Sequence, residues 1–295
     1  MGIKFTLSLA AVVAGLLTLT LAKEFTAPAL GDRALELTLV DARTNPSKPK
    51  VCCLSGADTR PDRGLLIVSD RSTLYTARLD TSTGTLTLTS SEPLTLASGV
   101  ALPEDYSDAE GMAIGAGGNV HISFEGQHRV DGYTDTQAST TTKAPAHLDL
   151  PTNGGLEALA VDAGGALYAL PETASDGAFQ LLQLAGGSWR TVGAVPSSGG
   201  FVPVGADFDA GGALYVLERK FSFFMFQSRV RRLTLGAGGI LSLETIWQSE
   251  LGEYDNLEAV AVIEGEDGTG SLLMVSDDNA MPFQETQALL LALSE

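Results

Sequence analysis

A short pattern returns along this chain at a fixed interval, and that periodicity restricts the fold more than any single residue does. Glu110-Gly-Met-Ala-Ile runs to Val120-His-Ile-Ser-Phe-Glu125, and Glu157-Ala-Leu-Ala-Val runs to Leu167-Tyr-Ala-Leu-Pro-Glu172, 47 residues on. After 47 more, Val204-Gly-Ala-Asp-Phe leads through Asp209-Ala-Gly-Gly to Leu214-Tyr-Val-Leu-Glu218-Arg219. Looser copies flank these: Ser55-Gly-Ala-Asp to Leu65-Leu-Ile-Val-Ser-Asp70, and Glu258-Ala-Val-Ala-Val to Leu272-Leu-Met-Val-Ser-Asp277, the latter with four extra residues in its turn. Each copy reads as an apolar strand, a turn and a second apolar strand. Weaker strands follow, such as Leu74–Leu79 and Thr85–Thr89, giving four per unit.

Helical periodicity is absent after residue 22. The expected fold is therefore all-β, a β-propeller of four-stranded blades. Five blades are counted, and six remain compatible because Thr81–Ser107 has room for a further degenerate strand. Ala34–Val40 is expected to complete the last blade beside Gln287–Leu293, so that the N-terminal strand closes the ring and leaves no free edge.

Lys4 followed by the apolar stretch Phe5–Ala22 reads as a signal peptide, with an uncleaved anchor as the alternative. The expected division is residues 1–22 as the leader and 23–295 as one domain, periplasmic or secreted. Cleavage after Ala22 removes Lys4 and takes the net charge from −18 to −19. So acidic a chain is a poor partner for nucleic acid, and no stable membrane insertion is expected after cleavage. Cys52 and Cys53 are adjacent, and core packing is the expectation for them, with a vicinal disulfide or a reactive thiol pair as the sharper alternative.

The repeat also places charge. Ser55 with Asp70, Glu110 with Glu125, Glu157 with Glu172 and Val204 with Arg219 are each 15 residues apart, and Glu258 with Asp277 is 19 apart. In antiparallel inner strands such positions share one face, so the acids are expected at one mouth of the channel. Carboxylates gathered there repel by about 1 kcal/mol per pair at about 4 Å even in bulk water. A hard cation, basic groups such as Arg71, Arg129, Arg219 and Lys220, or backbone amides must offset them; oxygen-only ligands suit calcium or magnesium. His121, His128 and His147 fall at unrelated positions, so zinc is not expected, and Ser123 lacks the context of a serine nucleophile. Phe221–Phe226 is a dense apolar run, expected in the core or a rim loop, with a substrate- or membrane-contacting patch as the alternative.

From Leu54 onward the chain resembles the phytase-like domain family, whose bacterial members are often described as having esterase-like activity. The resemblance rests on Asp108-Ala-Glu110-Gly-Met, Ile122-Ser-Phe-Glu125-Gly, Leu217-Glu218-Arg219-Lys-Phe221, Asn256-Leu-Glu258-Ala-Val and, above all, Val275-Ser-Asp277-Asp278-Asn279 with Gln284 and Gln287. It implies a propeller with recurrent acids and a phosphoester- or ester-hydrolysing site. The chain departs from the pattern at Val204, Ala280, Ala158 and Ala259. The expected chemistry is a divalent cation, calcium first, held by Glu110, Glu157, Glu258 and Asp277. Glu125 or Glu172 is the expected base, and Arg219 or Lys220 the group that holds a small-molecule ester or phosphoester. The protein is taken as a monomer. The competing expectations are a non-catalytic envelope propeller that binds a protein or glycan, and a calcium-dependent lactonase.

Overall fold

The computed structural model describes residues 34–43, 51–60, 64–265 and 270–293. The signal-peptide expectation falls on residues outside this set. Among the described residues no helix is long and apolar enough to cross a membrane.

Every copy of the repeat becomes an antiparallel meander. After β1 (Leu35–Asp41), the first copy forms β2 (Leu54–Thr59), β3 (Leu65–Ser69), β4 (Thr73–Asp80) and β5 (Thr85–Pro93). The second forms β6 (Ala109–Ile114), β7 (Val120–Phe124), β8 (Arg129–Thr134) and β9 (Gln137–Lys143), and the third β10 (Leu156–Val161), β11 (Leu167–Pro171), β12 (Ala178–Ala185) and β13 (Ser188–Pro196). The fourth forms β14 (Val202–Phe208), β15 (Ala213–Ser222), β16 (Met225–Gly236) and β17 (Gly239–Gln248), and the last β18 (Leu257–Glu264), β19 (Gly270–Ser276) and β20 (Ala288–Ala292).

The second, third and fourth copies are separate four-stranded sheets. The first and last are joined into one eight-stranded sheet by β1, which runs antiparallel to β20 and parallel to β5. Between β5 and β6 the described chain adds isolated bridges at Thr95 and a single 3-10 turn, Glu104–Tyr106, and no further strand.

The first strands pack in succession: β2 on β6, β6 on β10, β10 on β14, β14 on β18, and β18 back on β2. Meanders arranged about such a ring of inner strands make a β-propeller. The burial follows from that geometry. Inner strands such as β3 are buried along their whole length, whereas outer strands such as β13 are largely exposed. The core lies between sheets; Leu66, Val68 and Leu74 of one pack against Met112, Ile122 and Phe124 of the next. Full burial of each such side chain stabilises by about 1.5–3 kcal/mol.

Close approach of inner strands demands small residues. A Cβ on Gly111 would lie 2.3 Å from the Glu157 carbonyl oxygen, and one on Gly205 2.6 Å from that of Glu258. The inner strands carry one further shared feature that the repeat pattern does not reveal. Pairing with the second strand slips at Leu54/Gly56, Ala109/Met112, Leu156/Ala158, Pro203/Gly205 and Leu257/Ala259. Ser55, Glu110, Glu157, Val204 and Glu258 thus occupy β-bulges inside the strands, rather than preceding them. A bulge re-aims its side chain out of the strict alternation. In the second sheet Ser123 stitches the bulge, accepting from the Gly111 amide at 2.8 Å.

The adjacent cysteines are bonded to each other. This is the sharper of the two expectations, the vicinal disulfide, and Cys53 is buried in the core as well. They precede β2 rather than lie in it, and Cys53 takes φ 65°, so the alternation that separates neighbouring side chains in a strand does not apply.

Candidate functional site

The bulges and the ends of the second strands deliver the acids to one mouth. Asp108, Glu110 and Glu125 present carboxylate oxygens within 4.8 Å of one another, and so do Glu125, Glu157 and Glu172. Glu125 belongs to both groups. It comes from the turn after β7, while Glu157 and Glu172 come from the neighbouring sheet. Glu125 and Glu157 are buried; Glu110 and Glu172 are half-buried. The Gly155 amide donates to Glu157 Oε1 at 2.8 Å.

Glu258, expected beside Glu110 and Glu157, is close enough for its charge to bear on both, but its hydrogen bonds, like those of Asp277, go to other partners. Arg219 Nη1 donates to Glu258 Oε1 and, at 2.7 Å, to Asn256 Oδ1, while its Nη2 reaches Glu172 Oε1 at 3.3 Å. Asn256 Nδ2 also donates to Glu258 Oε1 at 2.8 Å. Asp277 accepts from the Asn279 amide at 2.6 Å. Of the basic groups expected near the acids, Arg219 is the one hydrogen-bonded to them, and the exposed Arg71 lies 3.9 Å from Asp70. Lys220 stands 5.7 Å over the Phe201 ring, and Arg129 pairs with Asp131 at 2.8 Å. Asp70 Oδ1 is buried with no hydrogen-bond partner.

The electrostatic consequence is a set of carboxyls that resist ionisation. Burial, then the charges of Glu157 and Glu258, raise Glu110 well above the usual range; burial, then Glu125 and Glu172, do the same for Glu157. Glu125 is raised by burial, partly offset by its hydrogen bond with Glu157. Asp70 is pushed up to about 7 by burial and by Asp277, and Glu258 to about 7 by burial, against the pull of Arg219. Asp277 reaches about 6, again through burial. Burial alone would lower Arg219, but Glu258 and Glu172 outweigh it and raise the guanidinium.

Several charged residues at or near the channel are not among the acids singled out from the sequence. Asp58 of β2 accepts from the Ile114 amide at 2.5 Å, and Asp207 of β14 from the Val262 amide at 2.7 Å, each lacing its inner strand to a neighbouring one. Their signal was present, since Gly-Ala-Asp occurs at the same repeat position in the first and fourth copies. His128 Nδ1 is buried without a hydrogen-bond partner and faces Gly155 beside Glu125. Glu218, by contrast, is fully buried and bound by both Arg229 and Arg231, so it is removed from the mouth.

Beside Arg219 opens a cleft of about 380 Å³, lined by Glu172, Asn256 and Asn279 on its polar side and Val202, Phe221 and Phe226 on its apolar side. A concave, partly apolar site of this size is suited to a small molecule.

Fold and site together define a β-propeller with an acid-lined channel mouth. A family model described as "Phytase-like: Esterase-like activity of phytase" matches residues 49–280, and the chain belongs to that family. It matches no curated protein. Among solved structures it is similar to the PQQ-bound aldose sugar dehydrogenase of Streptomyces coelicolor, at 15% identity and a TM-score of 0.48, covering 90% of this chain and 99% of that one. An oxidoreductase of Thermus thermophilus, described as a glucose dehydrogenase, gives 14% and 0.44, over 88% and 99%. Virginiamycin B lyase of Staphylococcus aureus gives 13% and 0.44, over 85% and 68%. At these identities and scores, the activities named for those proteins do not carry over.

Proposed function

We propose that this chain is a metal-dependent hydrolase of ester or phosphoester bonds, working at the acidic mouth of an exported propeller. The observation that carries the reading is the position of Glu125 in both close carboxylate groups. The donor set fits a hard cation, calcium first: it is all oxygen and crowded, and Asp70, whose Oδ1 lacks a hydrogen bond, interacts with the charge of Asp108. Asp108, Glu110 and Glu125 would hold the ion, with Glu157 beside Glu125 in the adjoining group and Glu258 and Asp277 as outer groups tied to Arg219 and Asn279. When bound, the cation supplies charge neutralisation and polarisation of the scissile group.

Glu172 is half-buried at the edge of the cleft, where it can take a proton from an incoming water. Arg219, fixed by Glu258 and Asn256, holds its guanidinium in the cleft wall and orients the polar end of a substrate. Lys220, standing over Phe201, is assigned no direct role. In the same reading the propeller has five blades, closed by β1 between β20 and β5. It is exported, periplasmic or secreted, and cut after Ala22, on the strength of its N-terminal sequence, and it is taken to act as a monomer.

The test is a thermal melt of chelated protein with added calcium, magnesium or neither. Calcium at about 100 times its dissociation constant stabilises by about 2.7 kcal/mol, and Glu125→Gln, which removes an oxygen from both groups, abolishes the rise. Naphthyl esters, lactones and phosphoesters are then assayed on the loaded protein. A melt that no cation moves sinks the metal site. One observation favours a non-catalytic envelope propeller, namely that Arg219 already balances Glu258 and Glu172 from within. Absence of both a melt shift and turnover would select that reading.

A further inference from the structure

The hairpin joining β15 and β16 ends in an unusual way. Ser222 pairs with Met225, leaving Phe223 and Phe224 as a two-residue turn with φ of 53° and 61°. Turns with both central residues left-handed are normally built from Asn and Gly, and a bulky residue there is strained. The strain is not relieved by burial, because Phe223 is 82% and Phe224 94% exposed. Residues kept in such conformations cluster at ligand clamps.

The hairpin reaches the cleft through Phe224. Phe224 meets Phe221 edge-on at 6.4 Å, and Phe221 packs on Phe226 at 4.9 Å; the latter two form the apolar wall. Asn279 lines the same cleft, and the turn that follows it bears Met281 and Phe283, the latter 80% exposed. The apolar wall of Val202, Phe221 and Phe226 thus stands beside a polar side of Arg219, Asn256, Asn279 and Glu172.

Charge decides what such a cleft takes. Arg219 is the cation of the polar side and is already bonded to Glu258 and Glu172, among further carboxylates of the mouth. A second anion brought in with the ligand meets repulsion, whereas a neutral carbonyl still finds the Arg219 and Asn256 donors. We propose that the cleft between the Phe223–Phe224 hairpin and the turn after Asn279 binds the acyl or aryl group of an uncharged carboxylic ester. The ester linkage itself rests on the hydrolase reading above; the apolar occupancy does not.

Binding is therefore measured without turnover, on chelated protein, using 2-acetonaphthone as the neutral ketone probe and 2-naphthyl phosphate as its anionic counterpart. The ketone is expected to bind and the phosphate to bind at least about tenfold more weakly. Phe221→Ser is expected to weaken ketone binding about tenfold, and so is the pair Phe223→Asn with Phe224→Gly. The pair suits the turn, so its melting temperature is unchanged or raised and misfolding cannot account for the loss. Ketone affinity unaltered in both variants overturns the proposal, as does equal or tighter binding of the phosphate. Capture by phosphatidylcholine vesicles, or a dimer, that the paired variant abolishes while ketone affinity stays unchanged overturns it in favour of a lipid surface or a second copy. Ketone binding that survives Glu125→Gln while calcium binding never appears would retain the cleft and reject the metal hydrolase.

Discussion

Arg219 of β15 donates to Glu258, the bulge residue of β18 in the next sheet, so the cation of one repeat answers the acid of another. The same guanidinium reaches back to Glu172 of the preceding sheet. One side chain therefore ties three sheets together at the crowded end of the channel.

Arg219→Met should remove that tie and leave Glu258 without its counter-charge. Breaking a buried pair by deleting one partner costs on the order of 3 kcal/mol. The loss should be largest at pH 8 and shrink at pH 5, because Glu258, raised to about 7, protonates below that value. Urea denaturation at both pH values is the check; an equal loss at each would mean that Arg219 acts by packing alone.

Chelated protein should become less stable as pH rises from about 4 to 7. The folded values of Asp58, Asp70 and Glu258 are near 7, above their ordinary values, so the folded state holds more protons than the unfolded chain in that window. Stability then falls as pH climbs through it, and it is greatest on the acidic side. Melting temperatures in a pH series should show this slope, and saturating calcium should flatten it by replacing protons at the mouth.

Gly111→Ala should destabilise by about 1–3 kcal/mol, since the new methyl group would overlap the Glu157 carbonyl oxygen on the adjacent inner strand. Gly238→Ala, where nothing lies within 4 Å, is the matched control. Similar melting temperatures for the two variants would contradict the close packing of β6 on β10.

Reduction of the Cys52–Cys53 bond should loosen the junction of the first and last repeats. The Cys53 amide donates to Asp278 Oδ1 at 3.3 Å, and its carbonyl accepts from the Asp70 amide at 2.9 Å. Loss of hydrogen bonds of about 1 kcal/mol each should lower the melting temperature by about 3–8 °C. Melts in phosphine reductant, with alkylation and intact-mass analysis to count thiols, test this. Thiols that alkylate without reductant would show that the bond is not formed.

The hairpins are legible in the sequence because their signal is local: apolar runs, turns and a fixed spacing need no knowledge of a partner. β4 and β5 cover the expected Leu74–Leu79 and Thr85–Thr89, and β1 overlaps the expected Ala34–Val40. The mouth is legible in part. The spacing points to Glu110, Glu125, Glu157 and Glu172, which do gather, and to Glu258, whose charge bears on Glu110 and Glu157, but it does not show that Arg219 rather than Lys220 is bonded to the acids.

The order of residues alone dictates the periodic framework and the surplus of negative charge carried on it. How that charge is shared is settled in three dimensions. The bulges at Glu110, Glu157 and Glu258 arise from register against a second strand, Arg219 finds its partners on other sheets, and Cys53 turns to meet Cys52 where no strand holds it straight. Each of these depends on where a neighbouring segment lies in space, and nothing in the local order of residues carries that information.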